Sequence, residues 1–417
     1  MKPDSDLEEL PKTEYSFYRQ YYENPSPSAF MQPLDHYHRA KTSGTRGSEK
    51  WFLLPKDDYQ QMLRETLLLQ IFTMFHDGEK INLDYGDKVY YNLAPRPFAA
   101  GFLAELSQQL GFIKLVPDQT LPFHDKLDYL IKHYNEVVAV GMTASSLISR
   151  VKPSMEDNLD LKAAYFFDSQ IAEVYYDDLV SYTKAIPKTT YSSTETGFCS
   201  ISSVEHPLRF IFDWRRGIFE FMRVKDGKEE APVPFTEVQV GEIYKILYTS
   251  FLVEFTRYVI EDGFECVSIG DNILGTDLPV FKFRGRMDKT LSMQNFTRID
   301  EGEVIEVLSR VNLKYADFVA RIEIENGMEY LKLYIEYDDP RSVETINHEI
   351  HDSLIDLDRD YRDLSNFYSY TPISVEKLDK NTFREYLESK NGSFPKVDRI
   401  NMSMEELELL LGMNKSQ

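Results

Sequence analysis

The sequence predicts an α/β protein with a large N-terminal domain built on parallel strands and a smaller C-terminal α+β domain. In the first part of the chain, apolar runs of strand length alternate with segments of helical spacing, which is typical of a parallel sheet with crossover helices. The character of the sequence changes near Lys282, and beyond it a hairpin signal, Asn326-Gly327, separates two strand-like runs. We therefore expect one domain over residues 1–285 and a second over residues 286–417, each of ordinary size.

Each element of the large domain is predicted from its own pattern of apolar residues. Residues 1–41 lack a sustained period and are expected to form an arm that packs on this domain. Strand-like runs then alternate with amphipathic stretches, which predicts consecutive βαβ units. The predicted elements are a helix over 56–76, a strand over 88–93, a helix from 98 to 110, a strand over 112–116, a helix over 127–133, a strand over 137–141 and a helix from 145 onward.

The small domain has a mixed pattern. Two strands over 318–325 and 330–337 are predicted on either side of the hairpin signal. A helix over 343–357, a strand over 373–378, a helix over 382–389 and an amphipathic tail helix follow. The interleaving of helices with a short sheet indicates the α+β class.

Composition excludes several classes of protein. The formal net charge of -22 disfavours nucleic acid or an anionic membrane as a partner, because binding to phosphates depends on Lys and Arg. An anionic small substrate would need the basic residues to be concentrated in a pocket. Cys199 and Cys266 are too few for a disulfide framework or a cysteine zinc site, and we expect both to be buried. Without a signal segment or a run of 18 apolar residues, the chain is expected in the cytoplasm, as a monomer or homodimer.

One polar stretch, Thr42-Ser43-Gly44-Thr45-Arg46-Gly47-Ser48-Glu49-Lys50, has the composition of a phosphate-binding loop. Its hydroxyls and glycines can surround phosphate oxygens with O–H and N–H donors, although a plain Ser/Gly turn has a similar composition. The glycine spacing is not that of a Walker A loop. The stretch resembles the phosphate loop of the acyl-adenylate-forming superfamily and departs from it at Arg46. The resemblance implies that ATP binds to Thr42, Ser43, Gly44, Thr45, Arg46, Gly47 and Lys50.

A second stretch, Tyr191-Ser192-Ser193-Thr194-Glu195, resembles the Tyr-x-x-Thr/Ser-Glu motif of the same superfamily. The resemblance implies that Tyr191 stacks on adenine, that Thr194 approaches the α-phosphate and that Glu195 helps to hold Mg²⁺. Hard oxygen ligands suit that metal. Taken alone, so short a motif is equally typical of a polar strand end.

Two further stretches lie near the expected domain boundary. Tyr258-Val259-Ile260-Glu261-Asp262, preceded by an expected edge strand over 241–249, is similar to the Tyr-Arg-Val-Gly-Asp motif of the plant acyl-acid amido synthetases. The resemblance implies that Asp262 accepts hydrogen bonds from the ribose hydroxyls, while Glu261 replaces a family glycine. Gly285-Arg286-Met287-Asp288 resembles the hinge motif, in which Arg286 would contact the nucleotide.

The last stretch, Phe394 to Ile400, resembles the C-terminal Lys-x-x-Arg of these enzymes. The resemblance implies that Lys396 contacts the substrate carboxylate and the α-phosphate during adenylation. A surface lysine is the ordinary alternative, because exposed Lys is common. The motifs occur in the family order between residues 42 and 400, and they most resemble the compact branch that includes plant acyl-acid amido synthetases and phenylacetate-coenzyme A ligases.

The resemblance implies ATP- and Mg²⁺-dependent activation of a small carboxylic acid as acyl-AMP, followed by acyl transfer. The acceptor is expected to be an amine such as an amino acid, with coenzyme A as the alternative. The alternative that the chain is a relative that binds nucleotide without catalysis stays open, because Arg46 and Glu261 depart from the family motifs. The strand-to-helix turn at residues 141–146 is expected to contribute to the acyl pocket, because open α/β sheets bind ligands at the carboxyl ends of their strands.

Overall fold

The computed structural model of the chain divides into two compact units, Met1–Arg284 and Gly285–Gln417. It describes residues 7, 9–41, 50–93, 95–121, 123–225, 228–251, 255–286, 290–293, 297–325, 328–358, 361–362, 365–366, 370–390 and 395–414. The Asn326-Gly327 hairpin signal lies outside these residues.

A five-stranded parallel sheet forms one part of the first unit. The strands lie in the order β4-β3-β5-β6-β7, so the chain moves from β3 to one side and then to the other. In such an order the ligand crevice lies outside the carboxyl ends of the two strands at the reversal, here β3 and β5. The sequences of these strands are apolar runs, because helices cover both faces of a parallel sheet and bury its side chains. The strands are β3 (Asp87–Tyr91), β4 (Ile113–Val116), β5 (Ala139–Met142), β6 (Ala163–Phe166) and β7 (Pro187–Lys188).

Helices connect these strands and precede them. The helical pattern predicted over 56–76 forms helix α2 (Lys56–Met62), a π-helical segment (Leu63–Leu67) and helix α3 (Leu68–Met74). The helices predicted before β4 and β5 are also present, and each begins or ends within a few residues of its predicted bound. The helices are α1 (Tyr15–Glu23), α2 (Lys56–Met62), α3 (Leu68–Met74), α4 (Ala99–Ser107), α5 (Phe123–His133), α6 (Ala144–Ser146), α7 (Ser169–Val174) and α8 (Tyr176–Thr183).

A seven-stranded sheet forms the other part of the first unit, in the order β10-β11-β16-β15-β14-β12-β13. The sequence predicted an edge strand over 241–249, and this prediction was wrong: β14 lies between β12 and β15 and pairs with both. Its side chains are buried on both faces, as expected of an interior strand. The strands are β10 (Ser200–Ser202), β11 (Phe210–Phe212), β12 (Gly217–Lys225), β13 (Lys228–Val233), β14 (Ile243–Ser250), β15 (Tyr258–Asp271) and β16 (Thr276–Arg286).

Two short hairpins complete the first unit. One joins β1 (Tyr37–Lys41) to β2 (Trp51–Pro55), and the other joins β8 (Ser192–Ser193) to β9 (Gly197–Phe198). The N-terminal arm packs on this unit, as the sequence predicted: Thr13 N–H donates to the carbonyl oxygen of Arg257 at 2.9 Å. Cys199 and Cys266 are both buried and unbridged, which confirms that prediction.

The second unit is a small α+β body. Strands β19 and β20 form the predicted antiparallel hairpin, and β21 pairs in parallel with β20. Helix α9 begins with a capping box between Asp300 and Glu303. The elements are β17 (Thr290–Met293), β18 (Thr297–Asp300), α9 (Glu301–Arg310), β19 (Tyr315–Glu325), β20 (Met328–Tyr337), α10 (Val343–Leu357), β21 (Ile373–Leu378), α11 (Thr382–Ser389) and α12 (Met404–Asn414). Across the described parts of both units, no helix is long and apolar enough to span a membrane.

Lys126 on α5 is fully buried, and its Nζ donates to the carbonyl oxygens of Leu93 at 2.5 Å and Gln119 at 3.0 Å. Burial lowers the pKa of Lys126 to about 8. Between about pH 8 and the ordinary lysine pKa of about 10.4, the unfolded chain therefore binds more protons at this site than the folded chain. Stability from this site is lowest below pH 8 and rises with pH across that interval.

We expect the wild-type protein to gain free energy of unfolding relative to Lys126→Met as the pH rises from 8 to 10.5, by up to about 3 kcal/mol. Urea denaturation of both proteins at several pH values measures this difference. Lys132→Met, which changes an exposed lysine on the same helix, is the control and should show no such trend. A difference between wild type and Lys126→Met that does not vary with pH would contradict the prediction.

Candidate nucleotide and acyl site

The Tyr191–Glu195 stretch begins at the carboxyl edge of the parallel sheet. Thr189 and Thr190 follow β7 directly, and the hydroxyls of Thr190 and Tyr165 on β6 are hydrogen-bonded. The chain then enters the β8–β9 hairpin, whose turn contains Thr194 and Glu195, both partly exposed. The last β-strand and the tight turn therefore present these two side chains where open α/β sheets bind ligands.

Gly197 closes this turn. Its φ of +61° is in the left-handed region, and a Cβ at this position would lie 2.7 Å from Sδ of Met62. Only glycine fits both the backbone and the contact without strain. The turn that presents Glu195 is therefore held against the helix that follows β2.

The Tyr191 side chain is 7% exposed and lies among four phenylalanines. Its ring stacks on Phe210 and Phe283 with centroids 6.0 and 6.3 Å away, and it meets Phe264 edge-on at 4.7 Å. The hydroxyl donates to Oδ2 of Asp262 at 2.7 Å. Burial and the negative charge of Asp262 raise the pKa of Tyr191 well above its ordinary value, so the hydroxyl remains a donor. The two residues assigned to adenine and ribose are thus in direct contact.

Asp262 is presented by a β-bulge. The β14–β15 register moves from Ile246 opposite Ile260 to Tyr244 opposite Phe264, so that residues 261–263 face Lys245 alone. Bulges redirect side chains and are common beside active sites. Glu261, which replaces the family glycine, forms an ion pair with Lys245, and its φ is not positive. The bulge therefore does not require glycine at this position.

The N-terminal arm also contacts the region around Glu195 and Asp262. Thr13 pairs with Tyr258, whose hydroxyl donates to Oε1 of Glu195 at 3.4 Å. The ring of Tyr15 lies 5.1 Å from Nζ of Lys50, and burial, with a small contribution from the charge of Glu195, raises the pKa of Tyr15. Lys50, Glu195 and the arm are therefore neighbours in the first unit.

The β1–β2 hairpin carries the predicted phosphate loop between its strands. Lys41 pairs with Trp51 at the open end of the hairpin. Thr42, Ser43, Gly44, Thr45, Arg46 and Gly47 lie outside the described residues, so their predicted roles stay predictions. Three cations border this loop: Lys50, Lys41 with its Nζ 4.9 Å from the Phe98 ring centroid, and Arg39 over Trp51. In so acidic a protein, this local concentration of positive charge suits an anionic ligand.

The turn at residues 141–146 follows β5 at the reversal of strand order. A Cβ on Gly141 would lie 2.7 Å from the ring of Tyr91, at the end of β3, so the ring occupies the space that a side chain would fill. Thr143 caps α6, accepting from Ser146 N–H at 3.3 Å, and Ala144 N–H donates to Asp168 at 2.5 Å. These two hydrogen bonds hold the turn at the crevice that the strand order predicts.

Arg286 and Lys396 belong to the second unit. Arg286 is the last residue of β16, and the boundary between the two units falls beside it. Lys396 is exposed in a segment without regular secondary structure, which Arg399 holds farther along. The Arg399 guanidinium donates to Asp317 at 2.6 Å and to Glu301 at 2.9 Å. The segment is therefore held within the second unit at Arg399.

Among the described residues, no three His, Cys, Asp or Glu side chains come together as a metal site. Mg²⁺ in nucleotide enzymes commonly takes one or two carboxylates together with substrate phosphates. The single partly exposed carboxylate of Glu195 fits that donor set.

Asn92 was not predicted and lies at the centre of this region. It follows β3, is 1% exposed, and its backbone N–H donates to the Gly141 carbonyl oxygen at 2.9 Å. Its side-chain nitrogen and oxygen have no hydrogen-bond partner among the described residues. An unpaired buried amide is costly, and this one is enclosed beside the turn at residues 141–146. A lone asparagine after a strand gives no signal in the sequence.

We expect Tyr191→Phe to weaken ATP binding by about 5- to 30-fold, because the ring packing is kept while one hydrogen bond to a carboxylate is lost. Calorimetric titration with ATP measures the change. Tyr134→Phe removes a tyrosine–aspartate bond of 2.8 Å to Asp157 away from this region and is the control. Equal ATP affinity in wild type and Tyr191→Phe would show that the Tyr191 hydroxyl does not orient the Asp262 carboxylate for binding the ribose.

Comparisons with known proteins agree with this geometry. Residues 210–286 match the model of the GH3 family central domain, which here comprises β11 to β16 and includes the bulge at Asp262. No curated protein matches the chain significantly by sequence.

Three solved structures share the fold at low sequence identity. A GH3.15 acyl acid amido synthetase in complex with 2,4-DB has a TM-score of 0.71 at 16% identity, covering 97% of this chain and 87% of its own. A 2-hydroxyisobutyryl-CoA ligase in the postadenylation state has a TM-score of 0.70 at 14% identity, covering 100% and 85%. The anthranilate CoA ligase AuaEII in complex with anthranoyl-AMP has a TM-score of 0.54 at 13% identity, covering 92% and 68%. The predicted α/β fold class is therefore confirmed: the chain has the fold of these adenylate-forming ligases, and its residues 210–286 match the GH3 family central domain.

Proposed function

We propose that the protein activates a small carboxylic acid as acyl-AMP, using ATP and Mg²⁺, and transfers the acyl group to an amine. The observation that carries the proposal is the hydrogen bond between Tyr191 and Asp262, which joins two motifs 71 residues apart. The Glu195 carboxylate accepts a hydrogen bond from the hydroxyl of Tyr258, which lies on the same strand as Asp262. Adenylation brings two anions together, so it needs binding positions for the nucleoside, the phosphates and the metal ion in one place.

In the first step a carboxylate oxygen attacks the α-phosphorus of ATP, the bond to the bridging oxygen breaks, and pyrophosphate leaves. We assign the β- and γ-phosphates to Thr42, Ser43, Gly44, Thr45 and Gly47, and the ribose to Asp262. Thr194 would donate to the α-phosphate. Mg²⁺, held by Glu195, would neutralise phosphate charge when bound. Positive charge on the reacting groups would come from Lys50, Arg46, Arg286 and Lys396.

In the second step the amine nitrogen attacks the acyl carbon, the bond from that carbon to the AMP oxygen breaks, and AMP leaves with the electron pair. The ammonium loses one proton to solvent before the attack, and the nitrogen loses a second proton to solvent as the amide forms. The GH3 central domain and the GH3.15 acyl acid amido synthetase favour an amine as the acceptor. The likeness to 2-hydroxyisobutyryl-CoA ligase keeps coenzyme A as the second candidate.

Pyrophosphate release from ATP on addition of a carboxylic acid library tests the first step. The expected result is acid-dependent release that Asp262→Ala reduces. Addition of amino acids or of coenzyme A then separates the two acceptors by which of them converts the acyl group to a stable product. ATP binding without pyrophosphate release for any acid would favour a non-catalytic nucleotide-binding protein and contradict the proposal.

A further inference from the structure

We propose that Tyr15, the first residue of α1, is a positioning residue that holds Lys50 for the phosphates of ATP; the phosphate role of Lys50 rests on the proposed function. Tyr15 belongs to none of the sequence motifs and lies on the N-terminal arm, 36 residues before Trp51. Its side chain contacts both Lys50 and Trp51, the residue that follows the lysine. One side chain of the arm therefore makes two kinds of contact at Lys50.

The first contact joins the Tyr15 hydroxyl to the backbone of Trp51. The hydroxyl accepts a hydrogen bond from the Trp51 N–H at 2.9 Å and donates one to the Trp51 carbonyl oxygen at 3.1 Å. Burial raises the pKa of Tyr15, so the hydroxyl keeps the proton that it donates. The Trp51 N–H belongs to the planar peptide unit that joins Lys50 to Trp51. The hydroxyl therefore fixes the backbone from which the lysine side chain extends.

The second contact is made by the Tyr15 ring. Nζ of Lys50 lies 5.1 Å from the ring centroid, within the range of a cation–π interaction. The ring also packs against Phe52 of β2, which is fully buried, with the two centroids 5.2 Å apart. A lysine side chain loses conformational freedom when it binds a phosphate, and a contact made beforehand reduces that cost. The ring therefore orders the ammonium before ATP binds.

Tyr15 can hold Lys50 because the arm is fixed on both sides of Tyr15. Before it, the Thr13 carbonyl oxygen accepts a hydrogen bond from the Val259 N–H of β15 at 2.8 Å. After it, Tyr22 of α1 is 1% exposed and packs on Phe52 with a centroid distance of 5.6 Å. The arm is therefore part of the packed unit, and its first helix presents Tyr15 at a defined place.

The choice of nucleotide separates a positioning role from a merely structural one. Lys50 ends the stretch whose hydroxyls are assigned to the β- and γ-phosphates, so its ammonium is expected at these two groups. AMP shares the nucleoside and the α-phosphate with ATP but lacks the β- and γ-phosphates. If Tyr15 acts through Lys50, its replacement weakens the binding of ATP and spares that of AMP. A general loosening of the unit would weaken both.

Calorimetric titration of the full chain with ATP and, separately, with AMP tests the proposal, with Mg²⁺ present in both. Tyr15→Phe keeps the ring and should weaken ATP binding by about 3- to 10-fold. Tyr15→Leu also loses the ring and should weaken it by about 10- to 50-fold, while AMP affinity changes less than about twofold in both variants. Tyr18→Phe is the matched control, because it removes a hydroxyl of the same helix that accepts from the Thr256 N–H at 3.1 Å. Its ATP affinity should equal that of wild type.

A double-mutant cycle shows whether Tyr15 acts through Lys50. Lys50→Met alone should weaken ATP binding by about tenfold or more, because a charge-assisted contact to phosphate is lost. In that background Tyr15→Leu should weaken ATP binding by less than about threefold further, since the charge that Tyr15 positions is already absent. The same loss from Tyr15→Leu with and without Lys50, or equal losses of ATP and AMP affinity, would overturn the proposal.

The outcomes also distinguish this inference from the proposed function. Acid-dependent pyrophosphate release by the wild type, together with unchanged ATP affinity in both Tyr15 variants, would sink the positioning role and leave adenylation standing. Selective loss of ATP affinity in the Tyr15 variants of a protein that never releases pyrophosphate would support the positioning role and contradict the proposed function. A wild-type protein that does not bind ATP would overturn both.

Discussion

Replacing Lys396 with alanine is expected to slow acyl-AMP formation by about a hundredfold or more and to leave ATP affinity nearly unchanged. The proposed role of the ammonium is to neutralise charge that builds between the carboxylate and the α-phosphate, which is greatest in the transition state. Lys396 is exposed, and the neighbouring Arg399 holds its segment through Asp317 and Glu301. Because these Arg399 bonds are kept in the variant, we expect the segment to stay in place when the lysine is replaced.

Single-turnover formation of acyl-AMP and calorimetric titration with ATP measure the two quantities separately. Lys380→Ala removes another exposed lysine of the second unit and is the control. A chemically prepared acyl-adenylate should still pass its acyl group to the acceptor in the Lys396 variant. If both half-reactions fell equally, the lysine would be supporting the structure, and if neither fell, the motif match at residues 394–400 would be accidental.

Asp262→Ala is expected to weaken ATP binding by about 2 to 4 kcal/mol, because one or two hydrogen bonds from ribose hydroxyls to a carboxylate are lost. This corresponds to a rise in Kd of roughly 30- to 1000-fold. The substitution also removes the acceptor of the Tyr191 hydroxyl, so a folding check by circular dichroism accompanies the titration.

Glu261→Gln is the matched control for Asp262, since it removes the neighbouring carboxylate of the same bulge. Its partner is Lys245, which also pairs with Glu229 at 2.9 Å and so keeps a counter-charge. We expect ATP affinity to change little in this variant. Unchanged affinity in a folded Asp262→Ala protein, or equal losses in the two variants, would remove the ribose-binding role.

Elements with a local signal could be predicted from the sequence. Helix α10 and strand β21 have the predicted bounds, because their apolar periodicity and flanking turns are contained within each segment. The position of β14 could not be predicted, because whether a strand lies at an edge depends on partners that are distant in the chain. The bulge at Asp262 was missed for the same reason: it exists only as a register change between β14 and β15.

In the candidate site, too, only residues that belong to a sequence motif could be predicted. Tyr191, Glu195 and Asp262 were predicted from short motifs, and the structure joins Tyr191 to Asp262 and Glu195 to Tyr258 by hydrogen bonds within one unit. Asn92 belongs to no motif, and only its unpaired buried amide draws attention to it. The contact of the N-terminal arm with this region, through Thr13 and Tyr258, likewise follows from tertiary pairing.

In the proposed reaction a carboxylate oxygen of the substrate becomes bonded to the α-phosphorus of ATP. Once the acid library has identified a substrate, that acid labelled with ¹⁸O in its carboxylate provides the most direct measurement. After complete turnover with ATP and the acceptor, mass spectrometry of the nucleotide should find AMP that contains one ¹⁸O atom, with pyrophosphate unlabelled. Label in inorganic phosphate together with ADP, or AMP without label, would contradict activation through acyl-AMP.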